Sequence, residues 1–203
     1  KGLTCHTVNS ANLQSTEKAV EILNDLGHQR IAFMCRHEDF KGLETYNLHQ
    51  RHSGYIVGMA NRGLDTNGLI FTMNVSGYEE EKNSSLIESE LRAMAAKVLD
   101  SAPRPTAVVA ANDLTGHMLR LVARERGLRV PEDISIIGYD GQHRLPGVIG
   151  FEPLSTMVVD WEEMACAAVD LAHELIVDPG KSARNVEIPT EYEDIGTVAQ
   201  PRK

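Results

Sequence analysis

The chain has 203 residues, of which 42% are hydrophobic and 24% are charged, as in an ordinary globular protein. These values exclude a disordered tail, a collagen-like fibre and a coiled-coil rod. A formal net charge of −9, from 20 basic and 29 acidic side chains, argues against binding of a nucleic-acid backbone by this chain itself.

Helical patterns and short apolar runs alternate along the first two thirds of the chain. Helices are predicted at 15–26, 53–62, 85–99 and 113–126, and strands at 30–35, 68–73, 106–111 and 134–139. This alternation favours right-handed crossovers and a parallel sheet, and unbroken apolar strands indicate that helices cover both faces. The predicted fold class is therefore α/β, with an open, doubly wound parallel sheet.

The pattern becomes less regular after Asp140. The sequence predicts a loop at 141–153, a strand at 154–159, a helix at 160–176, a turn at 178–180 and a last strand at 184–189.

The sequence contains no evident membrane-spanning segment or secretion signal. No apolar run approaches the ~18 residues of a membrane helix, so we expect a soluble protein without a membrane partner. The three cysteines have no CxxC spacing, and the first residues carry no apolar signal-peptide core. Both observations predict a cytoplasmic protein.

Polar, fork-shaped side chains follow each of the four main predicted strands. They are Arg36, Asn74, Asn112 with Asp113, and Asp140. Ligands of open α/β sheets bind beyond the carboxyl ends of the strands, and paired donors or acceptors suit sugar hydroxyls or a base edge. The alternative interpretation is that Asn and Asp merely form turns and helix caps there.

Signatures of catalysis are largely missing. The sequence contains no GxSxG, HExxH, P-loop or GxGxxG motif. Residues 35–39 include the metal-ligand types Cys, His, Glu and Asp, but consecutive residues seldom converge on one ion. We therefore expect no catalytic residue, metal or cofactor.

Four stretches of the sequence resemble the LacI/GalR-type transcriptional regulators. Residues 19–33 read AVEILNDLGHQRIAF, residues 105–113 PTAVVAAND, residues 124–140 RERGLRVPEDISIIGYD, and residues 153–157 PLSTM. The 124–140 stretch matches the family pattern almost without a break. The motifs extend over nearly the whole chain.

The resemblance implies a two-lobed, periplasmic-binding-protein-like effector domain of type I. Residues 12–150 and 184–200 would form the C-terminal lobe, and 151–183 would be a strand and helix of the N-terminal lobe. The DNA-binding module and most of the first lobe would then lie outside this chain. The apolar face of the 160–176 helix, with Met164, Ala168 and Leu171, would pack against a neighbouring chain, and 113–126 resembles the helix of the family's homodimer interface.

Site residues follow from the resemblance position by position. Arg51 matches the effector-contacting arginine of an R-x-x-G-aromatic motif, and Asn112 and Asp140 match the family's cleft residues. Asn47 stands where the family often has a small hydroxyl residue. Asn74 lies where a stacking aromatic is expected, and no aromatic is present at 74–76.

The leading hypothesis is the ligand-sensing domain of a regulator that binds a small molecule, such as a sugar, and operator DNA through a separate module. The alternative is a periplasmic sugar-binding protein of a transporter. An enzyme that uses His49 or His52, both in a polar loop, ranks third among the functional hypotheses, after a regulator and a transport protein.

Overall fold

The computed structural model describes residues 5–39, 46–76, 84–144 and 152–202. In chain order, its helices and strands are β1 (Thr7–Ser10), α1 (Asn12–Asp25), β2 (Ile31–Asp39), α2 (Tyr46–Asn61), β3 (Ile70–Ser76), α3 (Ser84–Asp100), β4 (Ala107–Ala110), α4 (Asp113–Glu125), β5 (Ser135–Asp140), a 3₁₀ turn (Gln142–Arg144), β6 (Thr156–Val159), α5 (Trp161–Val177), β7 (Asn185–Ile188) and β8 (Thr190–Glu193).

Six strands form one sheet in the order β3-β2-β4-β5-β6-β8. All neighbours in it are parallel except β6 and β8, which run antiparallel. The predicted doubly wound, mostly parallel α/β fold is therefore confirmed, with an antiparallel strand added at one edge. This arrangement agrees with the periplasmic-binding-protein-like fold that the sequence resemblance implies.

The strand order reverses at β2, because the chain first moves outward to β3 and then returns to place β4 on the other side of β2. Right-handed crossovers then put α2 on one face of the sheet and α3 and α4 on the other. The carboxyl ends of β2 and β4 border the point of reversal, which is where open α/β sheets form their ligand crevice.

Helices α1 and α2 pack closely because α2 has glycines at the contact. A Cβ atom at Gly54 would lie 2.2 Å from the carbonyl oxygen of Leu13, and one at Gly58 would lie 2.9 Å from Cβ of Val20. This contact fixes the position of Arg51 on the first half of α2.

Three boundary differences change the position of candidate site residues. Strands β2 and β3 run to Asp39 and Ser76, so Arg36 and Asn74 lie within strands and do not follow them. Helix α2 begins at Tyr46, so His49 and His52 are helical, and the ring of His52 stacks on Phe33 with 5.5 Å between centroids.

The strand predicted at 154–159 was expected to belong with the following helix in the first lobe. Instead β6 pairs with β5 in the six-stranded sheet. All four β6 residues are buried, as is typical of a strand in a sheet whose two faces are both covered. The hydroxyl of Ser155, just before β6, donates to Asp194 Oδ1 at 2.8 Å and ties the strand to the chain's last segment.

The predicted last strand also pairs differently from our expectation. β7 forms a separate, two-stranded parallel sheet with β1, which the sequence did not predict, whereas β8 joins the six-stranded sheet. The segment 184–200, predicted to belong to one lobe, thus contributes to both sheets. The division of the chain into lobes otherwise stays a prediction.

Helix α5 presents apolar side chains on two sides. Leu171 is buried and Met164 packs on the main core of this chain, so these two are covered without the neighbouring chain that the sequence analysis predicted, and only Ala168 of that set is exposed. The exposed apolar side chains are instead Trp161, Val169, Ile176 and Val177. Among the described residues, no helix is long and apolar enough to cross a membrane.

Candidate functional site

An ion pair between Arg51 and Asp140 lies at the carboxyl edge of the six-stranded sheet. Nη2 of Arg51 is 2.9 Å from Oδ1 of Asp140, and their side chains are 7% and 14% exposed. Burial raises the pKa of Asp140 above its ordinary value, although the charge and hydrogen bond of Arg51 act in the opposite direction. The two residues, predicted from different parts of the sequence, therefore meet in one largely closed site.

The remaining contacts of Arg51 hold its guanidinium in a fixed plane. Nε donates to Oδ1 of Asn12 at 2.7 Å and Nη1 donates to the carbonyl oxygen of Ala111 at 2.6 Å. The guanidinium carbon lies 3.6 Å from the centre of the Tyr139 ring, a cation–π contact. With these partners in the described part of the chain, three of the five N–H groups are used, and each terminal nitrogen keeps one for a ligand.

The backbone of Asp140 is strained. Its φ of 103° is the one positive value of a non-glycine residue in the described ranges, and Gly141 follows with φ of 70°. Residues held in such conformations concentrate at ligand sites, where neighbouring contacts maintain the strain. Here, the amide of Gln142 donates to Oδ2 of Asp113 at 2.7 Å and pins the turn after Asp140.

Asp113 is a buried carboxylate that ties three segments together. Besides Gln142, it accepts from the hydroxyl of Thr156 through Oδ1 at 2.7 Å. A Cβ at Gly138 would lie 2.2 Å from that Oδ1, so the glycine makes room for the carboxylate. Burial raises the pKa of Asp113 to about 6, against the hydrogen bonds from Thr156 and Gln142.

Asn112 combines a structural role with a place at the crevice. Its Oδ1 accepts from the amide of Thr115 at 2.9 Å and caps α4. The capping interpretation, weighed for this residue from its sequence position, is thus realised. Its half-buried side chain also follows Ala111, whose carbonyl oxygen Arg51 binds.

The two other predicted site residues differ in position. Asn47 is exposed on α2, and its Oδ1 accepts from Nδ2 of Asn12 at 3.3 Å, so it reaches the Arg51 cluster through Asn12. The backbone of Asn74 pairs with that of His37 in β2, and its side chain lies outside the described part of the structure.

Two site residues escaped the sequence analysis, as did an aromatic residue of a second cavity. Asn12 and Tyr139 contact Arg51 directly, and no spacing in the sequence links them to it. Trp161, which is 44% exposed at the start of α5, lines a separate cavity of about 820 Å³ at the carboxyl end of β6, and neither Arg51 nor Asp140 lines that cavity. An aromatic directly after an apolar strand was the signal that could have identified it.

Metal ligation is not indicated at this site. Within the described ranges, no group of three or more His, Cys, Asp or Glu side chains could hold a metal ion.

Comparison with known proteins relates this chain to one domain family. The model of the periplasmic binding protein-like domain matches residues 20–195. The arabinose metabolism transcriptional repressor of Halalkalibacterium halodurans is 33% identical over 119 residues, covering 58% of this chain and 28% of that protein. The repressor PurR of Photobacterium profundum is 28% identical over 167 residues, covering 82% and 45%. The chain thus spans less than half the length of either relative.

Solved structures show the same fold. A LacI family regulator from Enterococcus faecium with bound ribose has a TM-score of 0.74 at 23% identity, covering 98% of this chain and 68% of that one. A complex of the regulator CelR with cellobiose also has a TM-score of 0.74 at 23% identity, covering 95% and 54%.

Proposed function

The chain belongs to the periplasmic binding protein-like domain family, in the form found in LacI-type transcriptional regulators, and on that basis we propose that it senses a sugar or a related small polar metabolite. The observation that carries the proposal is the Arg51–Asp140 pair. Arg51 keeps an N–H on each terminal nitrogen, and Oδ2 of Asp140 has no hydrogen-bond partner among the described residues. Adjacent donors and an acceptor of this kind suit the neighbouring hydroxyls of a sugar ring.

A second cavity, lined by Trp161 and not by Arg51 or Asp140, offers an apolar surface. An exposed indole ring can stack on the C–H face of a sugar, and the cavity it lines is within the usual range for small-molecule sites. A ribose complex and a cellobiose complex among the related structures support a sugar as the ligand class. Asn112 and Asn47 would border the ligand, and we keep Asn74 as a further candidate.

The proposed output of sensing is a change in operator binding. The curated relatives are transcriptional repressors, not enzymes, which supports a regulatory role without catalysis. We propose that DNA is bound by a separate module in a cytoplasmic homodimer, and that the ligand changes the relative position of two lobes.

The uncovered side of α5 supports an additional packing partner. Val169, Ile176 and Val177 are 68%, 79% and 71% exposed. Several large apolar side chains exposed on one helix are typical of an interaction surface. We propose that a second copy of this chain covers this surface. If so, Ile176→Lys should reduce self-association of the chain in sedimentation velocity, whereas the matched exposed substitution Asp170→Lys should not.

Ligand binding can be tested by thermal shift with ribose and cellobiose as probes. We expect a saturable increase in Tm with at least one sugar, and its loss in both Asp140→Ala and Asp140→Asn. Asp100→Ala is the control, because Asp100 ends α3 at the opposite edge of the sheet and is exposed. In a regulator containing this domain, Asp140→Ala should abolish the response to ligand and preserve DNA binding. An unchanged response would contradict the proposed site.

A further inference from the structure

We propose that Asn12 is a positioning residue that couples the Arg51–Asp140 pair to β1 and thereby to the two-stranded sheet. The inference deepens the proposed function and rests on it for its biological meaning. Asn12 is 3% exposed, and both ends of its side chain amide are bonded. Oδ1 accepts from Nε of Arg51 at 2.7 Å, and Nδ2 donates to the carbonyl oxygen of Ser10 at 2.9 Å.

Ser10 is the last residue of β1, and β1 pairs with β7, not with a strand of the six-stranded sheet. Tyr139 provides a second link, since its ring lies against the Arg51 guanidinium and its hydroxyl donates to Oγ of Ser10 at 3.4 Å. The end of β1 is therefore connected to the buried guanidinium of Arg51 twice, through Tyr139 at its face and through Asn12 at its edge.

The two ends of the Asn12 amide have separable tasks. The oxygen fixes the plane of Arg51, together with Ala111 and Asp140 on other elements. The nitrogen holds the chain where β1 passes into α1. A ligand that draws the guanidinium toward itself must stretch or shift the first contact, and Asn12 transmits that shift to Ser10. Linkage makes this coupling reciprocal: the factor by which ligand binding changes the equilibrium position of β1 is also the factor by which a change in that position alters ligand affinity.

Two substitutions separate these tasks in the ligand-free protein. Asn12→Asp keeps an acceptor for Arg51 but cannot donate to Ser10, whereas Asn12→Ala removes both of these contacts; the longer hydrogen bond to Asn47 is lost in either variant. Asn61→Ala is the control, because its amide makes one exposed hydrogen bond to Glu17 at 2.8 Å.

Two NMR signals report the two tasks. The Nε–H resonance of Arg51 reports its hydrogen bond to Asn12. The amides of Thr7 and Ala11, which donate to Arg184 and Ile188 at 3.0 and 2.8 Å, report the junction of β1 with β7 through their exchange with water.

In Asn12→Asp we expect a retained, slowly exchanging Arg51 signal and roughly tenfold faster exchange of the Thr7 and Ala11 amides. In Asn12→Ala we expect both the Arg51 signal and the amide protection to be lost, and in Asn61→Ala neither. Unchanged exchange of the Thr7 and Ala11 amides in both Asn12 variants would overturn the inference. So would equal disturbance of Arg51 by Asn12→Asp and Asn12→Ala.

A titration with ribose distinguishes this inference from the proposed function. If ribose and cellobiose leave the wild-type Arg51 signal unchanged, the proposed ligand class fails, and the exchange data still decide the role of Asn12. If ribose binds, it should change Thr7 and Ala11 exchange in the wild type and not in Asn12→Asp. An equal ribose effect on exchange in both proteins would overturn the coupling.

Discussion

Substitution of Arg51 by methionine should destabilise the fold by about 3–5 kcal/mol, because it leaves a buried carboxylate without its counter-charge. Methionine fills the space of the apolar stem, so the loss arises mainly from Asp140, which is 14% exposed and 2.9 Å from Nη2 of Arg51 in the wild type. The variant also loses the hydrogen bonds to Asn12 and Ala111.

The ionic part of this loss can be isolated by a double-mutant cycle. Asp140→Asn removes the carboxylate charge, so the combination with Arg51→Met no longer contains an unpaired charge. We expect the double variant to be more stable than the sum of the single losses by about 2 kcal/mol, as is typical of contacting residues in one network. The deficit of Arg51→Met alone should shrink as the pH falls. Loss of Arg51 raises the pKa of Asp140 further, and the protonated carboxyl tolerates burial.

Urea denaturation at pH 7 and pH 5 measures all of these quantities. The control cycle uses Arg92→Met and Glu125→Gln, a pair with the same 2.9 Å separation but 35% and 51% exposed side chains. We expect a coupling below about 1 kcal/mol there. Additive losses at Arg51 and Asp140, or a coupling equal to that of the exposed pair, would refute the account of this site.

Three further sets of substitutions test contacts in and around the site. Asp113→Asn should flatten the pH dependence of the unfolding free energy. The folded-state pKa of about 6, against an ordinary 3.8, makes the wild-type contribution of Asp113 to stability fall as the pH rises from about 4 to 6. By linkage, this contribution changes by at most about 3 kcal/mol over that pH range. If urea titrations gave Asp113→Asn the same dependence of unfolding free energy on pH as the wild type, this account would be contradicted. Asn112→Ala should cost about 1 kcal/mol of unfolding free energy and Asn112→Asp less, since only the latter keeps the α4 cap. Gly54→Ala should cost about 3 kcal/mol of unfolding free energy, because its Cβ would lie 2.2 Å from the carbonyl oxygen of Leu13. Gly63→Ala should cost about 1 kcal/mol, which arises from its left-handed φ of 64° alone, since no atom lies within 4 Å of a Cβ there. Equal losses at the two glycines would refute the packing argument.

Much of the six-stranded sheet could be predicted because its central strands are buried on both faces and read as apolar runs. β4 and β5 differ from their predicted limits by one residue at either end. The two-stranded sheet could not be predicted, because β1 and β7 are four-residue strands separated by more than 170 residues. Their pairing depends on the position of the whole domain between them, which no local pattern encodes.

The site could be predicted only in part for a similar reason. Asp140 followed both from its position after β5 and from the family resemblance, whereas Arg51 followed from the resemblance alone. Asn12 gave no signal, because an asparagine at the start of a helix is ordinarily interpreted as a cap. Its contact with Arg51 arises from the close packing of α1 on α2, which Gly54 permits.

The strand-end rule succeeded at the centre of the sheet and failed at its edge, and the pairing register explains the difference. β2 pairs with β4 only through Met34, whereas it pairs with β3 from Phe33 to Asp39. The outer two strands therefore continue as a ribbon beyond the level at which β4 gives way to Asn112. Arg36 and Asn74 lie on this ribbon, whereas Asn112 follows β4 by two residues and Asp140 is the last residue of β5. An apolar run in the sequence thus marks where the covered part of the sheet ends, and a residue beyond that point lines a crevice where the strand pairing ends as well, as it does at Asp140, the last residue that β5 pairs with β6.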